Sequence, residues 1–170
     1  LPSLTAVPAR ALMRDPDRQI PRWALRREYR STYRDSLDSC ETLIKGSWPV
    51  KQTDPNVIPV SIEEGIANDL HVGLGDELVF DLQGVMLTNR IVSMRKVDWK
   101  RVQPNFFMVF PSGVLEEAPR FHIMTTRVAT REQSADMQRT VVRTLPNISI
   151  IDLTLVLDTI DAILNKVAFV

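Results

Sequence analysis

"SIEEGIANDLHVGLGDELVFDLQGVMLTNRIVSMRKV", residues 61–97, decides what kind of fold this chain adopts. Ser61 and Glu64 have the S-x-x-E spacing of a capping box, in which two side chains satisfy the backbone N–H groups that a helix start leaves without partners. The spacing predicts a helix beginning near residue 62. Gly73 and Gly75 are its expected stops, because glycine enters left-handed backbone without a steric cost. In residues 77–82, Leu78, Phe80 and Leu82 alternate with Glu77, Val79 and Asp81. A period of two marks a strand with one face turned to a core. Gln83-Gly84 can turn the chain, so a second strand is expected over residues 85–97.

Working downstream, "NFFMVF" (105–110) is apolar at almost every position, which predicts a strand buried on both faces. Phe106, Phe107 and Phe110 are read mainly as core, whereas Trp99 lies in the polar lead-in "VDWKRVQP" and is a candidate contact residue. Residues 120–128 read as a strand with Phe121, Ile123 and Thr125 on one side. Residues 131–145 read as a helix with Met137, Val141, Val142 and Leu145 on one face. "NISIIDL" (147–153) reads as another strand, and Thr154 can cap a last helix carrying Leu157, Ile160, Ile163, Leu164 and Val167. Upstream, residues 4–13 read as a proline-bearing strand, and residues 14–22 as a polar connector. Residues 22–48 read as extended segments with a short helix, and 49–59 as a loop with three prolines. The order is strand, long β-rich insert, then strand-helix-strand-helix, an α+β arrangement.

The 170 residues suffice for one domain or two small subdomains, and 44% hydrophobic with 25% charged residues is ordinary for a globular protein. A formal net charge of zero gives no support to nucleic-acid binding by charge. The single cysteine, Cys40, excludes an internal disulfide framework. No signal peptide or membrane-spanning run is read. The chain opens on Leu1 rather than Met and reads as part of a longer polypeptide.

Chemical motifs are sparse. His71 and His122 are the two histidines, and both read as surface or structural residues. No H-E-x-x-H, C-x-x-C or calcium-loop spacing occurs. "GLGDE" lacks the Lys-Ser/Thr of a phosphate-cradling loop. Glu63-Glu64 and Glu116-Glu117 are neighbours that do not converge on one substrate. No catalytic, cofactor or metal residues are therefore assigned. One cluster stands out: eight arginines between Arg10 and Arg34 face only Asp15, Asp17 and Glu28, with Trp23, Tyr29 and Tyr33 among them. Arginines with interleaved aromatics can bind nucleic acid, and a solvated face, an internal salt-bridge set and a partner- or membrane-proximal surface are the competing readings. Arg26, Arg27, Arg30 and Arg101 join Trp99 as candidate partner or ligand contacts.

Three stretches together resemble one family: "WALRREYRSTYRDSLDSCETLIKGSW" (23–48), "VSIEEGIANDLHVGLGDELVFDLQG" (60–84) and "RKVDWKRVQPNFFMVFPSGVLEEAP" (95–119). They resemble the large periplasmic domain of FtsX-like permeases of ABC transporters. The branch nearest in pattern is the one described as lysophospholipase L1 biosynthesis transport permeases. The middle stretch follows a pattern shared with MacB- and LolC-type permeases through Ser61, Glu63, Ala67, Gly75, Asp76 and Leu78. It departs at Leu74, where valine is frequent. The resemblance implies a βαβ porter-like subdomain from residues 1–17 and 119–170, its N-terminal part missing. A β-rich sabre-like insert would occupy residues 18–118. It also implies a transmembrane helix just beyond Val170 and a place on the periplasmic side of a bacterial inner membrane. A cytoplasmic ATPase subunit is implied as partner, with a periplasmic protein or lipid-like substrate as a further candidate. The implied role is non-enzymatic: ATP-driven motion coupled to extraction or release of hydrophobic molecules. The alternative is a lipid- or acyl-ligand-binding module of the same transporter.

Overall fold

The computed structural model describes residues 20–49, 52, 54–101, 103–154 and 156. The strand expected over 4–13, most of the 14–22 connector and the apolar face of the last helix lie outside them. The chain runs α1 (Arg22–Arg26), β1 (Ser31–Tyr33), β2 (Glu41–Gly46), β3 (Ile58–Glu63), α2 (Glu64–Leu70), β4 (Glu77–Leu82), β5 (Val85–Val97), β6 (Met108–Phe110) and α3 (Arg131–Thr144). The expected loop over 49–59 thus yields to β3 at Ile58.

One sheet has the order β1-β6-β3-β5-β2, and β4 also pairs with β5. Parallel pairs (β1 with β6, β3 with β5) occur beside antiparallel ones, so this is a mixed α/β domain, consistent with the α+β expectation. β5 is the central member. β3 pairs with its residues 89–95, β4 with 85–90 and β2 with 93–97. A strand has two edges, and Asn89, Arg90 and Ser93–Arg95 are each paired twice. β4 and β2 therefore succeed one another along the edge opposite β3.

The hairpin is where sequence periodicity placed it, β4 and β5 covering 77–82 and 85–97. Gln83 (φ 52°) and Gly84 (φ 93°) are both left-handed. Such two-residue turns match the right-handed twist of the flanking strands. Asp81 Oδ1 accepts a hydrogen bond from the Gly84 N–H at 2.7 Å.

The capping-box expectation is corrected. Ser61 belongs to β3, where its backbone is held by Ser93 of β5 and Val109 of β6. Its hydroxyl accepts from the Ser93 hydroxyl at 2.8 Å. Glu63 is the N-cap instead, its carboxylate accepting from the Ile66 N–H at 2.9 Å, and α2 starts at Glu64. The helix ends before the glycines, on His71 in left-handed backbone (φ 56°, ψ 44°). Gly73 then donates its N–H to Asp76 Oδ2 at 2.8 Å, shaping the turn into β4.

Val60, Ile62, Ile66, Ala67, Ile91, Met94, Met108 and Phe110 form the core between α2 and the sheet. Each full burial of a Val-, Ile- or Met-sized side chain contributes about 1.5–3 kcal/mol. β6 is shorter than the expected 105–110, and all three of its residues are buried. Phe106 and Phe107 precede it and are half-buried, so of the three phenylalanines only Phe110 is fully core.

Contacts divide the chain into two compact units, Leu1–Ile123 and Met124–Val170. In the second, Thr130 Oγ1 caps α3 by accepting from the Gln133 N–H at 3.2 Å. Met137 and Val141 of the expected apolar face are half-buried, whereas Val142 and Leu145 are exposed. Ser134 Oγ donates to Asp152 Oδ2 at 2.8 Å, and Gln138 Nε2 donates to the same oxygen at 3.1 Å. The strands expected over 120–128 and 147–153 are not formed. Alternation alone does not make a strand, because the ladder needs a neighbour to take its N–H and C=O groups. Among the described residues neither segment has one, and Phe121 and Met124 are 93% and 89% exposed.

Candidate functional site

The short helix α1 brings arginine and aromatic side chains together. Ala24 is buried and anchors the helix, and Tyr29 Oη donates to the Ala24 carbonyl at 2.5 Å. That folds the segment after α1 back onto the sheet. The Tyr29 ring meets Phe80 of β4 (centroids 6.3 Å apart) and the edge of Phe107 (6.0 Å, planes at 85°). Such tilted and edge-on pairs favour the ring quadrupoles beyond simple burial. Trp99, in the turn after β5, packs on Phe107 at 5.0 Å. The Arg27 guanidinium lies 4.6 Å from the Phe107 centroid and 5.9 Å from that of Trp23. A cation over these ring faces is attracted by their negative π density. Burial pushes the Tyr29 phenol up to about 12; Arg27 opposes this shift and Asp69 adds to it.

The result is a graded surface. Phe80, Phe107 and Tyr29 pack against the core, while Trp23 and Trp99 remain 46% and 47% exposed. Of the candidate contacts, Arg27 and Trp99 meet here through Phe107. Arg26 and Arg30 are exposed and form no ion pair among the described residues. Arg101 turns back on its own loop, its Nε 3.4 Å from Asp98 and its Nη1 donating to the Ser39 carbonyl at 3.3 Å. Trp23, Tyr29 and Phe80 are not among the contacts that the sequence suggests. Trp23 and Tyr29 stand among the arginines in sequence, but Phe80 is joined to them only by the fold.

A second polar centre lies inside the sheet. Glu41 Oε1 receives Arg34 Nη2 and Arg95 Nη1, each at 2.6 Å. Its Oε2 accepts from the Asp38 N–H at 3.0 Å. Arg95 is fully buried and also donates from Nη2 to the Phe106 carbonyl at 2.6 Å. Burial draws the Arg95 guanidinium down to about 10 against the upward pull of Glu41, so it stays charged at neutral pH. Nearby, the buried Cys40 thiol donates to Asn105 Oδ1 at 3.0 Å. Every oxygen of Glu41 is engaged, so the cluster ties β2, β5 and the approach to β6 together. It also assigns Arg34, one of the eight clustered arginines, to an internal salt bridge.

Among the described residues no group of three or more His, Cys, Asp or Glu could hold a metal ion. None of their helices is long and apolar enough to cross a membrane. Fold and surface thus define a mixed α/β domain with an exposed aromatic–arginine patch.

No family model matches the chain, and no solved structure matches it significantly. One curated protein does: the chain is 33% identical over 134 residues to an "Uncharacterized ABC transporter permease YbbP" of Escherichia coli (strain K12). The match covers 79% of the chain and 16% of that permease. This similarity supports an ABC permease family. The chain spans about a sixth of the length of the permease it matches.

Proposed function

We propose that the chain is a non-catalytic, extracytoplasmic domain of an ABC transporter permease subunit. In this reading it stands on the periplasmic side of an inner membrane. The rest of the permease pairs with a cytoplasmic ATPase, and motion driven by ATP reaches this domain. There it assists extraction or release of hydrophobic molecules. The observation that carries the reading is the 33% identity over 134 residues with an ABC transporter permease. The sabre-like insert is proposed to occupy residues 18–118, with residues 1–17 and 119–170 forming the porter-like part.

The test is topological. Thr126 is exposed and outside any helix or strand, whereas Cys40 is buried. In the full-length permease, Thr126→Cys is expected to react in intact cells with a thiol reagent that passes the outer but not the inner membrane. Protection until the inner membrane is opened overturns the placement. Ester or ATP hydrolysis by the purified 170-residue chain overturns the non-catalytic assignment.

A further inference from the structure

We infer that Trp23, Arg27 and Trp99, with Arg26 and Arg30 of the same segment, form a docking surface for the anionic headgroup layer of a phospholipid bilayer. Core packing accounts for Tyr29, Phe80 and Phe107, which are half-buried against the sheet. It does not account for two indoles left nearly half exposed, Trp23 beside the Arg27 guanidinium and Trp99 on the Phe107 ring that this guanidinium overlies. Phe107 is the shared floor: Arg27 lies over its ring at 4.6 Å and Trp99 packs on it at 5.0 Å.

The chemistry selects the occupant. Indole has an apolar body and one N–H donor, and it concentrates at the membrane–water boundary. Guanidinium is weakly hydrated and presents a planar fork that matches phosphate oxygens. Residues 22–30 carry four arginines against one glutamate. That local surplus complements a negatively charged leaflet, although the whole chain is neutral. The inference rests on the permease reading only in placing the domain beside a bilayer.

The experiment uses the 170-residue chain with vesicles of phosphatidylcholine alone or mixed with phosphatidylglycerol. The wild type is expected to co-sediment with the anionic vesicles, to lose them in high salt, and to show a blue shift in tryptophan emission. Trp48 is half-buried and supplies a fixed background. Trp23→Ala/Trp99→Ala is expected to abolish the blue shift and weaken binding about tenfold. Arg26→Gln and Arg30→Gln are each expected to weaken binding about fivefold in low salt. Both arginines are exposed and make no ion pair with any described residue, so these variants are expected to keep the wild-type circular dichroism and separate lost docking from lost folding. Equal binding to both vesicle types, no binding to anionic vesicles, or a tryptophan double variant that binds like wild type overturns the inference. Binding of monomeric lysophosphatidylglycerol while vesicles are ignored also overturns it, in favour of an acyl-ligand site. If vesicles are ignored but Thr126→Cys is labelled from outside, the domain assignment stands and only the docking surface falls.

Discussion

Glu41 is the counter-charge of a buried cation. Two guanidiniums converge on one of its oxygens, and Arg95 has no access to water. The Nε atoms of Arg34 and Arg95 already lack hydrogen-bond partners among the described residues. Glu41→Ala removes the counter-charge of a buried cation and is expected to cost about 3–5 kcal/mol in a urea denaturation experiment. A cost below about 1 kcal/mol, the range of exposed pairs, contradicts this account. Tyr29 offers a second measurement. Its phenol is raised to about 12, so its contribution to stability is complete below about 10 and is lost as pH rises through about 12. Arg95, lowered to about 10, pushes stability the other way throughout that window. The clean readout is therefore phenolate absorbance in the ultraviolet. A late ionisation is expected, and Tyr29→Phe is expected to remove it.

Glycines separate two kinds of constraint between elements. Gly46 ends β2 at φ 77°, and a Cβ there would lie 2.1 Å from the Val92 carbonyl oxygen of β5. Gly84 has φ 93° in the hairpin turn, with no atom of the described residues within 4 Å of its Cβ position. Gly84→Ala meets only backbone strain, about 1–2 kcal/mol. Gly46→Ala meets that strain and must also displace β2 from β5, so its melting temperature is expected to fall further. Equal losses would mean that β2 yields freely. The β4–β5 hairpin was legible in sequence because its signals are local: a period of two and a turn pair lying beside one another. The start of α2 was not, because Ser61 is claimed by strands 32 and 48 residues downstream, at Ser93 and Val109. Residues 120–128 failed for the converse reason. Their alternation is real, but a strand is a property of a pair, and no described residue supplies the second member.

For the whole chain, the divide at Ile123 and Met124 coincides with exposed backbone outside any ladder or helix. Limited trypsin digestion is expected to cut first at Arg127 and to release an N-terminal fragment that keeps the sheet's cooperative unfolding. First cleavage inside 58–97 contradicts this division. The surface was half legible at this scale. Trp99 and Arg27 stood out by composition, yet their meeting depends on Phe107 and on the fold bringing residues 23–29 beside residues 80–107. Arg101 is near Trp99 in sequence, but its loop directs it to Asp98 and Ser39 instead.

β5 has thirteen residues, a length on the order of 40 Å at about 3.3 Å per residue. One end is the 83–84 turn and the other leads directly into Trp99. Over Asn89, Arg90 and Ser93–Arg95 it is clamped on both edges at once. Its register is therefore fixed from both sides. A push on the turn cannot slide the strand without breaking bonds to β3 together with those to β4 or β2. A shift in the register of β5 therefore disturbs three partner strands at once, β2, β3 and β4.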